Sequence, residues 1–146
     1  MTNKPVEILL VDDNEDDVVI IQEAFAGARL LTVITRTQDG EDALQYLRRE
    51  GAYKIARRPG LVLLDINMPK KNGFEVLTEM KADPALQHLP VVVLTTSDRE
   101  EDVIQSYAVG ACSYIKKPMD LERLRDVVKQ FEQYWTVVSQ LPQPSA

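Results

Sequence analysis

Three aspartates, a threonine and a lysine stand where short apolar runs stop. Asp12 and Asp13 follow "VEILLV", Asp65 follows "LVLL", Thr95 ends "PVVVLT", and Lys117 comes after "CSYIK" and before Pro118. If these places share one edge of a fold, three carboxylates, a hydroxyl and an ammonium converge on one crevice. Crowded acids repel and raise one another's pKa, an arrangement that makes sense around a hard cation. Magnesium takes oxygen ligands, few protein carboxylates, and a phosphate to complete its shell. An ionised aspartate can also be a nucleophile and form an aspartyl phosphate. Phosphoryl transfer asks a protein mainly for position and charge neutralisation. The metal, Lys117 and Thr95 could then each face one transferred oxygen.

The bland alternative applies to each residue singly. Asp12, Asp13 and Asn14 precede a helical stretch and could be N-caps, and a lysine before a proline is usually a surface charge. Together they are harder to dismiss, because four of the five strand ends carry the right chemistry.

Positioning them is the work of the runs themselves. Val6–Val11, Leu31–Thr37, Leu61–Leu64, Pro90–Thr95 and Cys112–Lys116 read as strands. Three of them are dense in Val, Ile and Leu with little alternation, the pattern of strands buried on both faces of a parallel sheet. Helical spacing fills the intervals. Ile20, Ile21, Ala24 and Phe25 follow Asn14, and Ala43, Leu44 and Leu47 follow "DG". Phe74, Leu77 and Met80 follow a capping box at Asn72 and Glu75, and Val103, Ile104, Tyr107 and Ala108 follow a second at Ser97 and Glu100. A last helix starts near Asp120 and carries Leu121, Leu124, Val127, Val128, Phe131, Trp135, Val137 and Val138. The order βαβαβαβαβα predicts a doubly wound α/β sheet with right-handed crossovers, and such sheets bind ligands beyond the carboxyl ends of their strands. One connection is long, Arg49 to Gly60, and its Arg and Lys content predicts a solvated loop first and a contact site only second.

A length of 146 residues suits one domain with a real core. The expected extent is a single domain over 1–146, with a core over about 5–139, a short proline-containing tail over 140–146, and no effector domain. A net charge of −6 argues against non-specific nucleic-acid binding. The one cysteine, Cys112, excludes an internal disulfide and is compatible with a reducing cytosol. No apolar run approaches the roughly 20 residues of a membrane span, and "MTNKPVEILLVDD" is not a signal peptide, so a cytoplasmic location is expected. The lone histidine, His88, reads as a solvated loop residue.

The stretches "ILLVDDNEDD", "LVLLDINMPKKNG", "VVVLTTS" and "GACSYIKKPMD", in that order, resemble the receiver domain of two-component response regulators. The resemblance covers essentially the full length. It implies the flavodoxin-like, CheY-like (βα)5 fold with strand order 2-1-3-4-5. It implies that Asp65 accepts a phosphoryl group from a kinase phosphohistidine. Asp13, Asp65 and the backbone carbonyl of Asn67 would bind Mg2+ directly, with Mn2+ able to substitute and Asp12 acting largely through water. Lys117 would pair with the phosphate and Thr95 would hydrogen-bond it. Asn67 and Ser97 occupy positions that tune phosphate lifetime, and Thr96 stands where the family often has a smaller residue.

The family's switch moves a strand-four hydroxyl inward and an aromatic on strand five after it, here Thr95 and Tyr114. The output face would be the fourth helix, fifth strand and fifth helix, read by a downstream protein. The long basic loop, with "MPKKNGFEVLTEMKADPALQHLPVVVLTTS" and "SYAVGACSYIKKP", resembles the small single-domain regulators that partner phytochrome-type histidine kinases. The late apolar residues Trp135, Val137 and Val138 would be exposed in a monomer, so a homodimer through the output face is expected.

Other readings stay open on the residues alone. A magnesium-dependent phosphatase with an aspartate nucleophile wants a second acid two residues on, where Asp65 has Asn67 and Asp13 has Glu15 only by a loose reading. A flavin module would need a phosphate-cradling loop after strand one, and "DDNEDD" has the wrong charge. A receiver-like scaffold that is never phosphorylated is the third. The expectation is a signalling phosphoacceptor, not an enzyme beyond its own phosphotransfer and slow dephosphorylation.

Overall fold

Ile8 and Leu10 point to one face of the sheet, and Leu9 and Val11 to the other. Both faces are covered, so the run needs no polar residue in alternate positions. The computed structural model describes residues 5–68, 70–95, 113–117 and 119–139, with side chains to residue 136 in the last segment. Its strands are β1 (Val6–Val11), β2 (Thr32–Thr37), β3 (Leu61–Asp65), β4 (Val91–Thr95) and β5 (Ser113–Lys116). All pair in parallel, in the order β2-β1-β3-β4-β5. The expected doubly wound sheet and its strand order are therefore observed.

The helices are α1 (Glu15–Ala26), α2 (Gly40–Arg48), α3 (Gly73–Ala82) and a C-terminal helix (Leu121–Ser139). Val18, Ile21 and Phe25 of α1 join Leu124, Val128 and Phe131 of the C-terminal helix over one sheet face. Ala43, Leu44 and Leu47 of α2 join Val76, Leu77 and Met80 of α3 over the other. Local chemistry starts each helix where the sequence placed it. Asn14 caps α1 through the N–H groups of Asp16 and Asp17, Asp39 caps α2, and Asn72 and Glu75 form the full capping box of α3. The capping box at Ser97 and Glu100 and the helical spacing from Val103 to Ala108 lie outside the described residues. So do Thr96, Cys112, Pro118 and the tail 140–146.

One expectation is met with additions and one needs correction. The connection from Arg49 to Gly60 is largely solvated, as expected, and it also makes contacts of its own. It contains a short 3-10 turn, Gly51–Tyr53. The Tyr53 hydroxyl donates to Asp42 Oδ1 at 2.8 Å, Arg58 donates to the Ala85 carbonyl at 2.8 Å, and the Gly60 N–H donates to the Glu7 carbonyl at 2.7 Å. Arg49, Glu50, Lys54, Arg57 and Arg58 are exposed, as is Ile55 at 94%.

Trp135 is not bare. Its ring packs on Phe131, with centroids 5.9 Å apart. It also covers Gly60, where an added Cβ would sit 2.7 Å from the indole. The loop lacks a side chain where the helix brings its largest one, so the chain partly covers its own tryptophan, which is half-buried. The side chains of Val137 and Val138 lie outside the described residues.

Candidate functional site

Parallel pairing puts the carboxyl ends of β1, β3, β4 and β5 at one edge. Asp12 is the residue after β1 and is 0% exposed, while Asp13 next to it faces solvent. Asp65 ends β3 at 3% exposure, and Thr95 ends β4, also buried. Lys117 follows β5, and its N–H donates to the Thr95 carbonyl at 2.6 Å, which ties the two strand ends together.

The Lys117 ammonium lies 3.1 Å from Asp12 Oδ2 and 3.2 Å from Asp65 Oδ2. The second oxygen of each acid is also held. Asp12 Oδ1 accepts from the Asn14 N–H at 2.9 Å, and Asp65 Oδ1 accepts from the Asn67 N–H at 3.1 Å. The sequence expectation for Asp12, Asp13, Asp65, Thr95 and Lys117 is met in position: all stand at this edge. Tyr114 is half-buried and packs against the core on the α2–α3 face. Asn67 is exposed, and Ser97 lies outside the described residues.

Burial dominates the electrostatics. It raises the Asp12 pKa to about 7, with the Asp65 charge adding to it and the Asn14 N–H and Lys117 opposing it. Burial also raises Asp65, against the pull of Lys117 and the Asn67 N–H. The Lys117 ammonium is disfavoured by burial, but the Asp17 bond and the charges of Asp65 and Asp12 outweigh that and raise its pKa. These acids suit a hard cation on the geometry alone. Asp12, Asp13 and Asp65 each offer one oxygen, all within 4.8 Å of one another. Oxygen donors of this kind, with one acid open to solvent, fit an ion that keeps several waters.

Two residues at the site escaped the sequence reading. Asp17 Oδ2 is 2.5 Å from the Lys117 ammonium. The signal was its place at the third position of α1, where side chains reach back toward the cap. Arg36 of β2 donates from Nε to the Asp12 carbonyl at 3.0 Å and pairs with Glu15. That pairing also engages the acid that a phosphatase reading would have needed at Glu15.

The turn after Asp65 is tight. The Gly73 N–H donates to the Ile66 carbonyl at 3.0 Å, and a Cβ on Gly73 would lie 2.5 Å from the Asp65 carbonyl oxygen and 2.8 Å from Ile66 Cα. Backbone atoms cannot swing aside as a side chain does. Gly73→Ala is therefore expected to cost about 2 kcal/mol in urea unfolding and to weaken divalent-cation binding, since the strain falls on Asp65. Unchanged stability and cation affinity would show that the turn yields freely.

Comparison with known proteins follows the same residues. The response regulator receiver domain model matches residues 8–129. The chain is 40% identical to "Response regulator Rcp1" of Synechocystis sp. over 141 residues, which is 97% of this chain and 96% of that protein. Among solved structures, the phosphorylated cyanobacterial phytochrome response regulator RcpA superposes with a TM-score of 0.82 at 44% identity, over 96% of this chain and all of that one (100%). The Mn2+-bound form of Rcp1 superposes with a TM-score of 0.80 at 39% identity, over 97% of this chain and 100% of that one. A parallel sheet that gathers an aspartate triad and a lysine at one edge, matched to such relatives along nearly its whole length, belongs to the response regulator receiver family of two-component signalling phosphoacceptors.

Proposed function

We propose that Asp65 is the phosphoacceptor of a single-domain regulator, taking its phosphoryl group from the phosphohistidine of a sensor kinase. The observation that carries this is the setting of Asp65. It is a buried carboxylate with one oxygen held by a backbone N–H and the other by Lys117, inside a triad suited to a cation. An Asp65 oxygen attacks the phosphorus, the new O–P bond forms, and the P–N bond to the donor imidazole breaks, with the electron pair leaving on nitrogen. Lys117 and the Thr95 hydroxyl meet the oxygens of the transferred group. A hard divalent cation, Mg2+ with Mn2+ as substitute, adds positive charge to those oxygens when bound. Asp13, Asp65 and the Asn67 carbonyl would hold it directly, and Asp12 largely through water. The Mn2+-bound form of Rcp1 supports a cation at this triad.

The kinase partner is proposed to be phytochrome-type, on the likeness to a phytochrome response regulator. The rest of the reading follows the same likeness. Thr95 and Tyr114 act as the switch, Asn67 and Ser97 set phosphate lifetime, and the domain spans 1–146, acts in the cytoplasm and signals to a protein target. It turns over nothing beyond its own phosphate. No helix among the described residues is long and apolar enough to cross a membrane. A homodimer through the output face formed by the fourth helix, β5 and the C-terminal helix belongs to the same reading, and Tyr134, 44% exposed on the C-terminal helix, supports it. A sedimentation profile that stays monomeric with and without beryllofluoride would end that part.

The decisive experiment is incubation with Mg2+ and acetyl phosphate, followed by intact mass. One added phosphoryl group, dependent on Mg2+ and lost in Asp65→Asn, is expected. An adduct that persists in Asp65→Asn would overturn the assignment. Steady release of phosphate from a phosphomonoester would favour a phosphatase instead.

A further inference from the structure

Lysine has three N–H donors, and Lys117 meets three carboxylates: Asp12 at 3.1 Å, Asp65 at 3.2 Å and Asp17 at 2.5 Å. Two of these partners belong to the triad that suits a cation, and Asp17 does not. Asp65 is also the residue read above as the one that becomes esterified. Of the three partners, only Asp17 keeps the same charge and the same duties once a cation and a phosphoryl group arrive.

Asp17 is also spent on nothing else. Its buried Oδ2 meets the Lys117 ammonium and no other donor among the described residues. The Asp17 and Lys117 side chains are 14% and 9% exposed, so solvent screens the pair poorly. A first-turn acid often serves only the helix dipole. Here Glu15 and Asp16, both exposed, already fill that place in α1, while Asp17 turns inward.

We infer that Asp17 is a positioning residue: the fixed anchor of Lys117, which holds the ammonium at the crevice while its bond to Asp65 passes to a phosphoryl oxygen. This rests on the reading of Asp65 as acceptor. Without the anchor, the ammonium loses the one partner that neither the cation nor the phosphoryl group engages. The chemical step is then slowed, and phosphate mimics bind less well.

The test uses Asp17→Asn, which is isosteric, with Asp17→Ser as a second variant, both checked by thermal unfolding. At saturating Mg2+, the maximal rate of phosphorylation by acetyl phosphate and the affinity for beryllofluoride should each fall about tenfold or more, while Mg2+ affinity changes by less than about threefold. A second readout needs neither metal nor phosphate. In EDTA, exchange of the Lys117 ammonium protons, followed by 15N NMR, should speed up in the variants. In a Lys117→Ala background, Asp17→Asn should have no further effect on beryllofluoride affinity.

An equal loss in that background would overturn the anchor, because Asp17 would then act on something other than Lys117. Tighter beryllofluoride binding in Asp17→Asn would also overturn it and make Asp17 a competitor for the lysine. Unchanged ammonium exchange would do the same. Wild type that takes no phosphate would instead fail the Asp65 reading. Wild type that takes phosphate at the same rate as Asp17→Asn would fail the anchor alone.

Discussion

Replacing Lys117 with methionine is expected to cost the metal-free protein roughly 3–5 kcal/mol at pH 8. Methionine fills much of the same volume, so packing is largely kept. What is lost is the only cation in contact, among the described residues, with three carboxylates: Asp12 at 0% exposure, Asp65 at 3%, and Asp17. Breaking a buried ion pair from one side leaves the other side charged, buried and unpaired. Two escapes exist, and both can be measured. Protonation neutralises the acids, so the loss should shrink as pH falls from 8 to about 5.5. A divalent cation does the same, so saturating Mg2+ should restore most of the lost stability. Urea unfolding at the two pH values, with EDTA or Mg2+, checks all three parts. A loss below about 1 kcal/mol with no pH dependence would mean that the cluster behaves as solvated surface pairs.

The wild-type protein carries a related signature. Asp12 has its pKa raised from 3.8 to about 7 by burial and by the Asp65 charge. Between those values the folded state holds a proton that the unfolded state has released. The stabilisation is therefore fully present below pH 3.8 and is lost as pH rises through about 7. Asp65 shifts in the same direction. Lys117 is also raised, but from 10.5, so its contribution is lost only at alkaline pH. Glu79, lowered by Lys71 and Arg48, works the other way at the acid end. The clean measurement is thus wild type minus Asp12→Asn. In EDTA that difference should move by on the order of 2 kcal/mol against wild type from pH 5 to pH 8.

Mg2+ and protons compete for these carboxylates. The stabilisation by Mg2+ should therefore grow with pH, to about 2.7 kcal/mol at a hundredfold excess over its Kd. It should be smaller at pH 5.5, and both smaller and less pH-dependent in Asp12→Asn. Equal stabilisation by Mg2+ at both pH values would remove Asp12 from the cation site.

Much of this is legible in the sequence alone, for reasons that can be traced to particular residues. "LVLL" ran without alternation because β3 is covered on both faces. Asn14 and the pair Asn72 and Glu75 announced helix starts because an N-cap is satisfied within a few residues. The family resemblance then put roles on Asp65, Thr95 and Lys117. The structure places them at the edge the topology required.

Other features were not legible, since they depend on partners far away in sequence. Which first-turn acid of α1 turns inward depends on Lys117, a hundred residues on. How far Trp135 is covered depends on Gly60, a glycine in a loop that reads as solvated. That Arg36 grips the Asp12 carbonyl depends on the register of β2 beside β1. By itself the sequence determined the parallel sheet, the helix caps and the gathering of acids at the strand ends, because burial on two faces and capping are short-range demands on residue type. Only the tertiary structure decided that Lys117 meets Asp12, Asp17 and Asp65 at once, because a three-way contact is set by where β1, α1, β3 and β5 come to lie against one another.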